Sequence, residues 1–274
     1  MKKNIIYLTI LGLLILIFKN YNIVLESSIT AVNLWLYKVF PFLFIMIIIN
    51  DLLINLDFQS LFKNTSIYIF IMSLLSGSPT SAVIICNLYK NNKITKNNAN
   101  VTLLFTYFAN PLFLWTILNS IFNSKIISIK LILIHYISNL IIYFIVKKKL
   151  DKSITYNNKI NINISSSIKK AMTTTTMVLG AITFYLIISN ILSLNLLFKG
   201  LLEMTQGLNS LINYNSSFKE LLAILFISFG GLSIHTQVKC ILDEENISYK
   251  YFLKGRIMQT LIALGLTILT SAWI

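Results

Sequence analysis

The amino-acid sequence predicts an all-α polytopic membrane protein, built as an inverted repeat with two re-entrant helical hairpins. Three observations carry that expectation. Of 274 residues, 56% are hydrophobic and only 12% are charged, whereas a soluble domain is about a quarter charged. Several apolar runs approach the roughly 20 residues needed to cross a bilayer. Two of the apolar stretches are broken by polar, helix-terminating residues, at Ser76-Gly77-Ser78-Pro79 and at Gly230-Gly231. A break inside lipid frees backbone N–H and C=O groups that only protein or a water-lined cavity can satisfy.

The net charge of +14 would suggest nucleic acid in a soluble chain. Here the lysines mostly flank apolar runs, so lipid headgroups and topology account for them, and no nucleic-acid partner is expected. Cys86 and Cys240 both lie in apolar stretches. They offer neither a disulfide framework nor metal-ligand spacing, so no metal and no cofactor is expected.

Each element follows in chain order. Met1-Lys2-Lys3 followed by apolar residues 5–18 has a signal-like form without a cleavage site, and residues 1–22 are read as an uncleaved anchor helix. Residues 23–146 form a first repeat carrying an extra helix. Within it, 23–34 reads as a short interfacial helix ending at Trp35 and Tyr37, and 40–56 as a crossing that opens at Pro41. Asp51 reads as an acid near the interface. Residues 67–75 and 80–89, each about half a bilayer deep, read as the arms of a hairpin. The crossing 101–122 should kink at Asn110-Pro111. In the crossing 126–146, His135 and Asn139 share a face, and His135 reads as a packing residue.

Residues 147–170 form a basic connector, and 171–274 the second repeat. Its first helix, 171–197, carries Thr173–Thr176, whose hydroxyls can bond their own backbone. Residues 200–212 hold Glu203, read either as wet at the interface or as an intramembrane acid carrying a coupling proton or cation. Residues 218–229 and 233–242 flank Gly230-Gly231 and read as the second hairpin. Setting Cys86 on Cys240 places Gly77 on Gly231 and Leu88 on Leu242. Matched breaks in two halves point to a transporter's binding site. With the N-terminus inside, the loops 57–66, 90–100 and 147–170 face the cytoplasm, and together with the N-terminus they hold 13 of the 23 Lys and Arg. The acidic loop 243–250 then faces outward.

Half-helices beginning after Pro79 and after Gly231 would aim free N–H groups at the bilayer centre, each favouring an anion by about 0.3–1 kcal/mol. The candidate substrate-binding set is therefore Gly77, Ser78, Thr80, Ser81, Asn110, Gly230, Gly231, Ser233, His235, Thr236 and Gln237, with Glu203 as the coupling candidate. No catalytic set is expected. The two histidines lie on separate helices and most acids lie in loops, so no nucleophile, base and acid fall at a usable spacing.

Five ordered stretches resemble one family. Phe229-Gly230-Gly231-Leu232-Ser233-Ile234-His235-Thr236-Gln237-Val238 is similar to the FGGLS-hydrophobic-HxQV signature of the sporulation integral membrane protein YlbJ (SpoVV) family. Ser76-Gly77-Ser78-Pro79 resembles its SG-x-P turn, and Phe105-Thr106 with Asn110-Pro111-Leu112-Phe113 its FTN-x-x-NPLF stretch. His135-Tyr136 with Asn139-Leu140 resembles HY-x-x-NL, and Glu203-Met204-Thr205-Gln206-Gly207 resembles E-hydrophobic-T-x-G. Ser81 and Val83 stand where that family usually has Gly and Lys. The resemblance implies a nucleoside-recognition "gate" domain and a place in endospore formation. It also implies movement of dipicolinate, a small anion, out of the mother cell across the outer forespore membrane. A non-transporting sporulation scaffold and a nucleoside-type transporter are the alternatives. Beyond the solute and the lipid bilayer, a homo-oligomer is compatible with the chain.

Overall fold

The computed structural model describes residues 2–62, 64–151 and 162–271, and among these no strand occurs. Five helical stretches are long and apolar enough to cross a membrane: Tyr21–Asn55, Lys125–Lys149, Ile164–Ile191, Lys219–Glu244 and Tyr249–Thr270. Their side chains are distributed as lipid demands. Helix α8 below exposes Ile126, Ile129, Leu133, Ile137, Leu140 and Phe144, three or four residues apart, and buries Ser128, His135, Ser138 and Asn139 on its other face. Apolar groups face out and polar groups face the bundle, the reverse of a water-soluble helix. The chain is a multi-pass, all-α membrane protein.

Helix α1 (Lys2–Lys19) leads into α2 (Tyr21–Leu34) and α3 (Phe40–Asn55). The last two form one 35-residue crossing, so residues 23–34 are its first half and not an interfacial piece. Pro41 explains the seam between them. It has no N–H to give the carbonyl four residues back, and its ring crowds that carbonyl. The ladder slips instead into a π-turn over Trp35–Val39, where the Phe40 N–H reaches the Trp35 carbonyl.

Helices α4 (Thr65–Ser76) and α5 (Thr80–Lys90) form a re-entrant hairpin, as expected. Lys93, just past α5, donates to the Ile54 carbonyl and to Asp57, both at 2.7 Å, just ahead of α4. Both arms therefore start and finish on one face, here the lysine-rich face. At 1.5 Å per residue, the 12 residues of α4 carry the tip about 18 Å deep.

Helices α6 (Lys96–Thr102) and α7 (Pro111–Phe122) make an interrupted crossing. A kink was expected at Asn110; helix is absent altogether from residue 103 to 110. Helix α8 (Lys125–Val146) returns to the lysine-rich face, where Asn97 donates to the Lys149 carbonyl at 2.9 Å and Thr95 to Asp151 at 2.7 Å. Residues 152–161 of the connector lie outside the described residues. Helix α9 begins at Ile164, ahead of the expected 171, and runs to Ile191. Its Thr173 and Thr175 hydroxyls bond the Lys169 and Ala171 carbonyls at 3.0 and 2.8 Å, as expected. Asp51, expected near the interface, is buried between α3, α5 and α9, meeting Lys170 at 2.7 Å and Ser167 at 2.6 Å.

The second hairpin is not where the sequence placed it. Helices α10 (Leu196–Leu202) and α11 (Met204–Ser210) fold back on each other at Glu203. A Cβ on Gly207 would come within 2.2 Å of the Gly200 Cα, so the arms touch backbone to backbone. Residues 200–212 are thus the core of a hairpin and not an interfacial piece. Helices α12 (Lys219–Phe229) and α13 (Gly231–Glu244) instead form one crossing, broken at Gly230. Its two ends lie on opposite faces. Glu220 pairs with Lys130 at 2.5 Å near the start of α8, whereas Glu245 pairs with Lys90 at 3.1 Å at the end of the hairpin arm α5. Ser248 N–H donates to Asn100 at 3.1 Å on that same face. The acidic loop 243–250 therefore shares the lysine-rich face. The physical reason is that the two left-handed glycines, Gly230 and Gly231, bend the helix here without reversing it.

Helix α14 (Tyr249–Ser271) runs back along α13 and α12. The order of long helix, hairpin, interrupted crossing and long helix thus occurs twice. The two hairpins enter from opposite faces. The inverted arrangement holds, with α10–α11 in the place assigned to α12–α13.

Candidate functional site

The unwound stretch between α6 and α7 is held by the helices around it. Asn139 on α8 donates to the Tyr107 carbonyl, and His135 Nε2 accepts from Ala109 N–H at 3.1 Å. Four-residue spacing on α8 places these two side chains on the segment together. The other ring nitrogen, Nδ1, lies 3.1 Å from Gln259 Nε2 and 3.5 Å from Ser228 Oγ. Gln259 on α14 donates to the His135 carbonyl at 3.0 Å and takes a hydrogen bond from Arg256. Arg256 is wholly buried, with its guanidinium 4.2 Å above the Tyr107 ring and reaching the Leu104 carbonyl at 3.5 Å. It supplies positive charge where α6 runs out of helix, at the negative end of that helix dipole.

Against this segment rests the first hairpin tip. Ser78 N–H donates to the Phe108 carbonyl at 2.7 Å. Gly77 has φ +78°, and a Cβ there would lie 2.9 Å from Asn110 N. Only glycine allows both the left-handed backbone and this approach. Asn110 caps α7, its side chain accepting from Leu112 and Phe113 N–H at 3.0 and 3.2 Å. The second tip is built alike. Glu203 caps α11, its carboxylate accepting from Gln206 N–H at 2.7 Å. A Cβ on Gly231, at φ +70°, would lie 2.9 Å from Met204 N. Each hairpin thus meets an interrupted crossing through one left-handed glycine and one capping side chain.

The two tips open on a single cavity of about 90 Å³, room for several waters or a compact solute. Its polar wall comes from Ser76 and Ser78 of the first tip, Asn110 and the Tyr107 ring of the unwound stretch, Glu203 and Thr205 of the second tip, and Gln237 of α13. Its apolar wall includes Val178 and Ile182 of α9 and Phe42 of α3. Lys38, on the π-turn, lines it as well. A groove of about 490 Å³ continues from it past Lys38, Phe42, Asn110 and Phe113 toward Ser120 and Ile212, away from the lysine-rich face. On the lysine-rich side a separate vestibule of about 290 Å³ lies among Lys90, Lys169 and Lys170. Val83, Met177 and Ile241 line that vestibule.

Of the expected site residues, Ser78, Asn110, Gln237 and Glu203 line the cavity, and Gly77, Gly230 and Gly231 shape the backbone around it. The others point elsewhere. Thr80 and Ser81 are buried away from the cavity wall. Ser233 Oγ accepts from Gln237 at 3.2 Å, and Thr236 bonds Tyr185 on α9 at 2.7 Å. His235 faces α14. Its Nε2 donates to the Phe229 carbonyl at 3.0 Å, so Nδ1 accepts from the Tyr249 hydroxyl at 2.7 Å, and the ring stacks 4.6 Å from Phe229. Sequence reasoning missed Lys38, Tyr107 and Thr205. Lys38 had a visible signal, a lone charge three residues before Pro41 in an otherwise apolar run. Thr205 stood in the Glu203–Gly207 stretch beside the coupling candidate, and Tyr107 had no signal.

No protein-family model matches the chain, and no solved structure matches it. Among curated proteins, the sporulation integral membrane protein YlbJ of Bacillus subtilis (strain 168) is 22% identical over 306 aligned residues. The alignment covers 87% of this chain and 75% of the relative. The chain is thus distantly similar, over most of its length, to an integral membrane protein of sporulation.

Proposed function

We propose that this chain is a secondary transporter of a small anionic metabolite in sporulation, with the cavity between the hairpin tips as its substrate site. One observation carries the reading. Hairpins entering from opposite faces bring polar tips, Ser78 and Glu203, to one cavity lined by interrupted helices. Transporters bind solutes at such midplane breaks, where half-helix ends and freed backbone groups face the ligand. A scaffold has no use for that arrangement. The solute we propose is dipicolinate, following the resemblance to the YlbJ family and its gate-domain relatives. The likeness to a sporulation membrane protein supports the setting. By the positive-inside rule the face bearing Lys90, Lys93, Lys147–Lys149 and Lys170 is cytoplasmic. The central cavity then communicates with the opposite side.

The test is uptake of radiolabelled dipicolinate into vesicles carrying the purified protein. Saturable uptake above protein-free vesicles is expected. Uptake of labelled uridine alone favours a nucleoside-type carrier, and uptake of neither solute sinks the transporter reading for both.

A further inference from the structure

Lys38 occupies the least favourable place in the fold for a bare charge. It lies at the midpoint of the 35-residue crossing Tyr21–Asn55, about 25 Å of helix from either end. Over that distance a lysine side chain cannot snorkel along the helix to either face, which leaves the outer groove as its route to water. Its depth is fixed independently, because Trp35, one turn earlier, donates to the Thr175 carbonyl at 2.8 Å near the middle of α9. The other lysines that reach into the protein have acids beside them: Lys93 has Asp57, Lys130 has Glu220 and Lys170 has Asp51, all within 2.7 Å. Among the described residues Lys38 has no ion-pair or hydrogen-bond partner. An unpaired ammonium at mid-bilayer is costly and marks a substrate or ion path.

Where it stands is equally specific. Lys38 lines both the central cavity and the outer groove, at the neck they share with Asn110. The acid in the cavity wall, Glu203, already accepts a backbone N–H as a helix cap. Ser78 Oγ, on the same wall, is buried and has no hydrogen-bond partner among the described residues. A fixed cation, a free hydroxyl and the Asn110 and Gln237 amides therefore face one space, in which Glu203 is engaged as a helix cap and forms no ion pair with Lys38.

We propose that Lys38 is the substrate-selecting residue: its ammonium receives a carboxylate of the solute at the neck of the cavity. The site accordingly discriminates by charge between molecules of one shape. This rests on the transporter reading and adds to it the residue and the chemical class it selects.

The test compares dipicolinate with pyridine-2,6-dicarboxamide, its neutral near-isostere, on purified protein in vesicles. Binding and uptake of each are measured for wild type, Lys38→Gln and Lys38→Arg. Losing a hydrogen bond to a charged ligand group predicts about 10- to 100-fold weaker dipicolinate binding by Lys38→Gln. Lys38→Arg should restore most of it, and affinity for the diamide should be alike in all three proteins. Removing an unpaired charge from the middle of a crossing relieves a solvation cost, so Lys38→Gln is expected to fold, which its elution profile and melting temperature check. Equal dipicolinate affinity in wild type and Lys38→Gln overturns the proposal while leaving the transporter reading intact. Wild-type uptake of neutral solutes without uptake of carboxylates overturns the proposal and the anionic-solute reading together. Absence of uptake of any solute removes both.

Discussion

Replacing Gly231 with alanine probes the seat of the second hairpin directly. Its φ of +70° is in the left-handed region, where a side chain costs about 1–2 kcal/mol. The new Cβ would stand 2.9 Å from Met204 N, 3.2 Å from the Leu202 carbonyl oxygen and 3.4 Å from Glu203 Cα. All three neighbours are backbone atoms of the hairpin tip, so the clash cannot be relieved by turning a side chain. Overpacking of this kind adds about 1–3 kcal/mol. The sum, about 2–5 kcal/mol, lowers the melting temperature by roughly 4–20 °C for a chain near this size. Because the tip itself must retreat, Glu203 and Thr205 move in the cavity wall and solute affinity falls with stability. The assay is thermal unfolding in detergent beside solute binding at matched protein amounts. Gly180→Ala is the control: Gly180 lies within α9 with no atom inside 4 Å of a Cβ. Alanine is the better helix former there by about 1 kcal/mol. If Gly231→Ala melts within about 1 °C of the Gly180→Ala control and binds solute equally well, the hairpin does not rest on Gly231 and the reasoning fails.

Three further outcomes follow from the same geometry. Gln237→Ala should weaken solute binding by about 10- to 100-fold with little change in melting temperature, whereas His235→Ala should lower the melting temperature and leave affinity unchanged; the reverse pattern would put His235 in the site. Asn139→Ala strips the Tyr107 carbonyl of its partner in a water-free interior and should cost about 1–3 kcal/mol, read by thermal unfolding. His135→Ala acts on the same segment, so the double variant should cost less than the two single variants together. Single cysteines at positions 148 and 244, in a chain lacking Cys86 and Cys240, should react with an impermeant reagent from the same side of the membrane; opposite sides would contradict the crossing assigned to α12–α13.

Much of the fold was legible from the sequence because lipid allows few solutions. Apolar runs near 20 residues became crossings, and the Ser76–Pro79 break became a hairpin tip, as Gly and Pro in lipid require. What failed was the equation of the two glycine breaks. Gly77 turns a hairpin and Gly230 bends a crossing, yet both leave the same mark on a sequence. The true second tip, at Glu203, carries no proline and turns between Gly200 and Gly207, whose spacing reads as ordinary helix until their backbones are seen in contact. Side-chain direction was the other blind spot. His235 and Gln237 are two residues apart, so they project from different faces of α13. Sequence shows that they diverge but not which of them meets the cavity. Lys38 was overlooked because Pro41 was read as the start of a helix, when it marks a π-turn in the middle of one.

The central claim is that solute binds where the two hairpin tips meet, and an experimental structure at saturating dipicolinate tests it most directly. Solute density is predicted between Ser78, Asn110, Gln237 and Lys38, with Glu203 at the edge of the same cavity. Density confined to the vestibule by Lys90, Lys169 and Lys170, with the central cavity empty or filled by water, would contradict it.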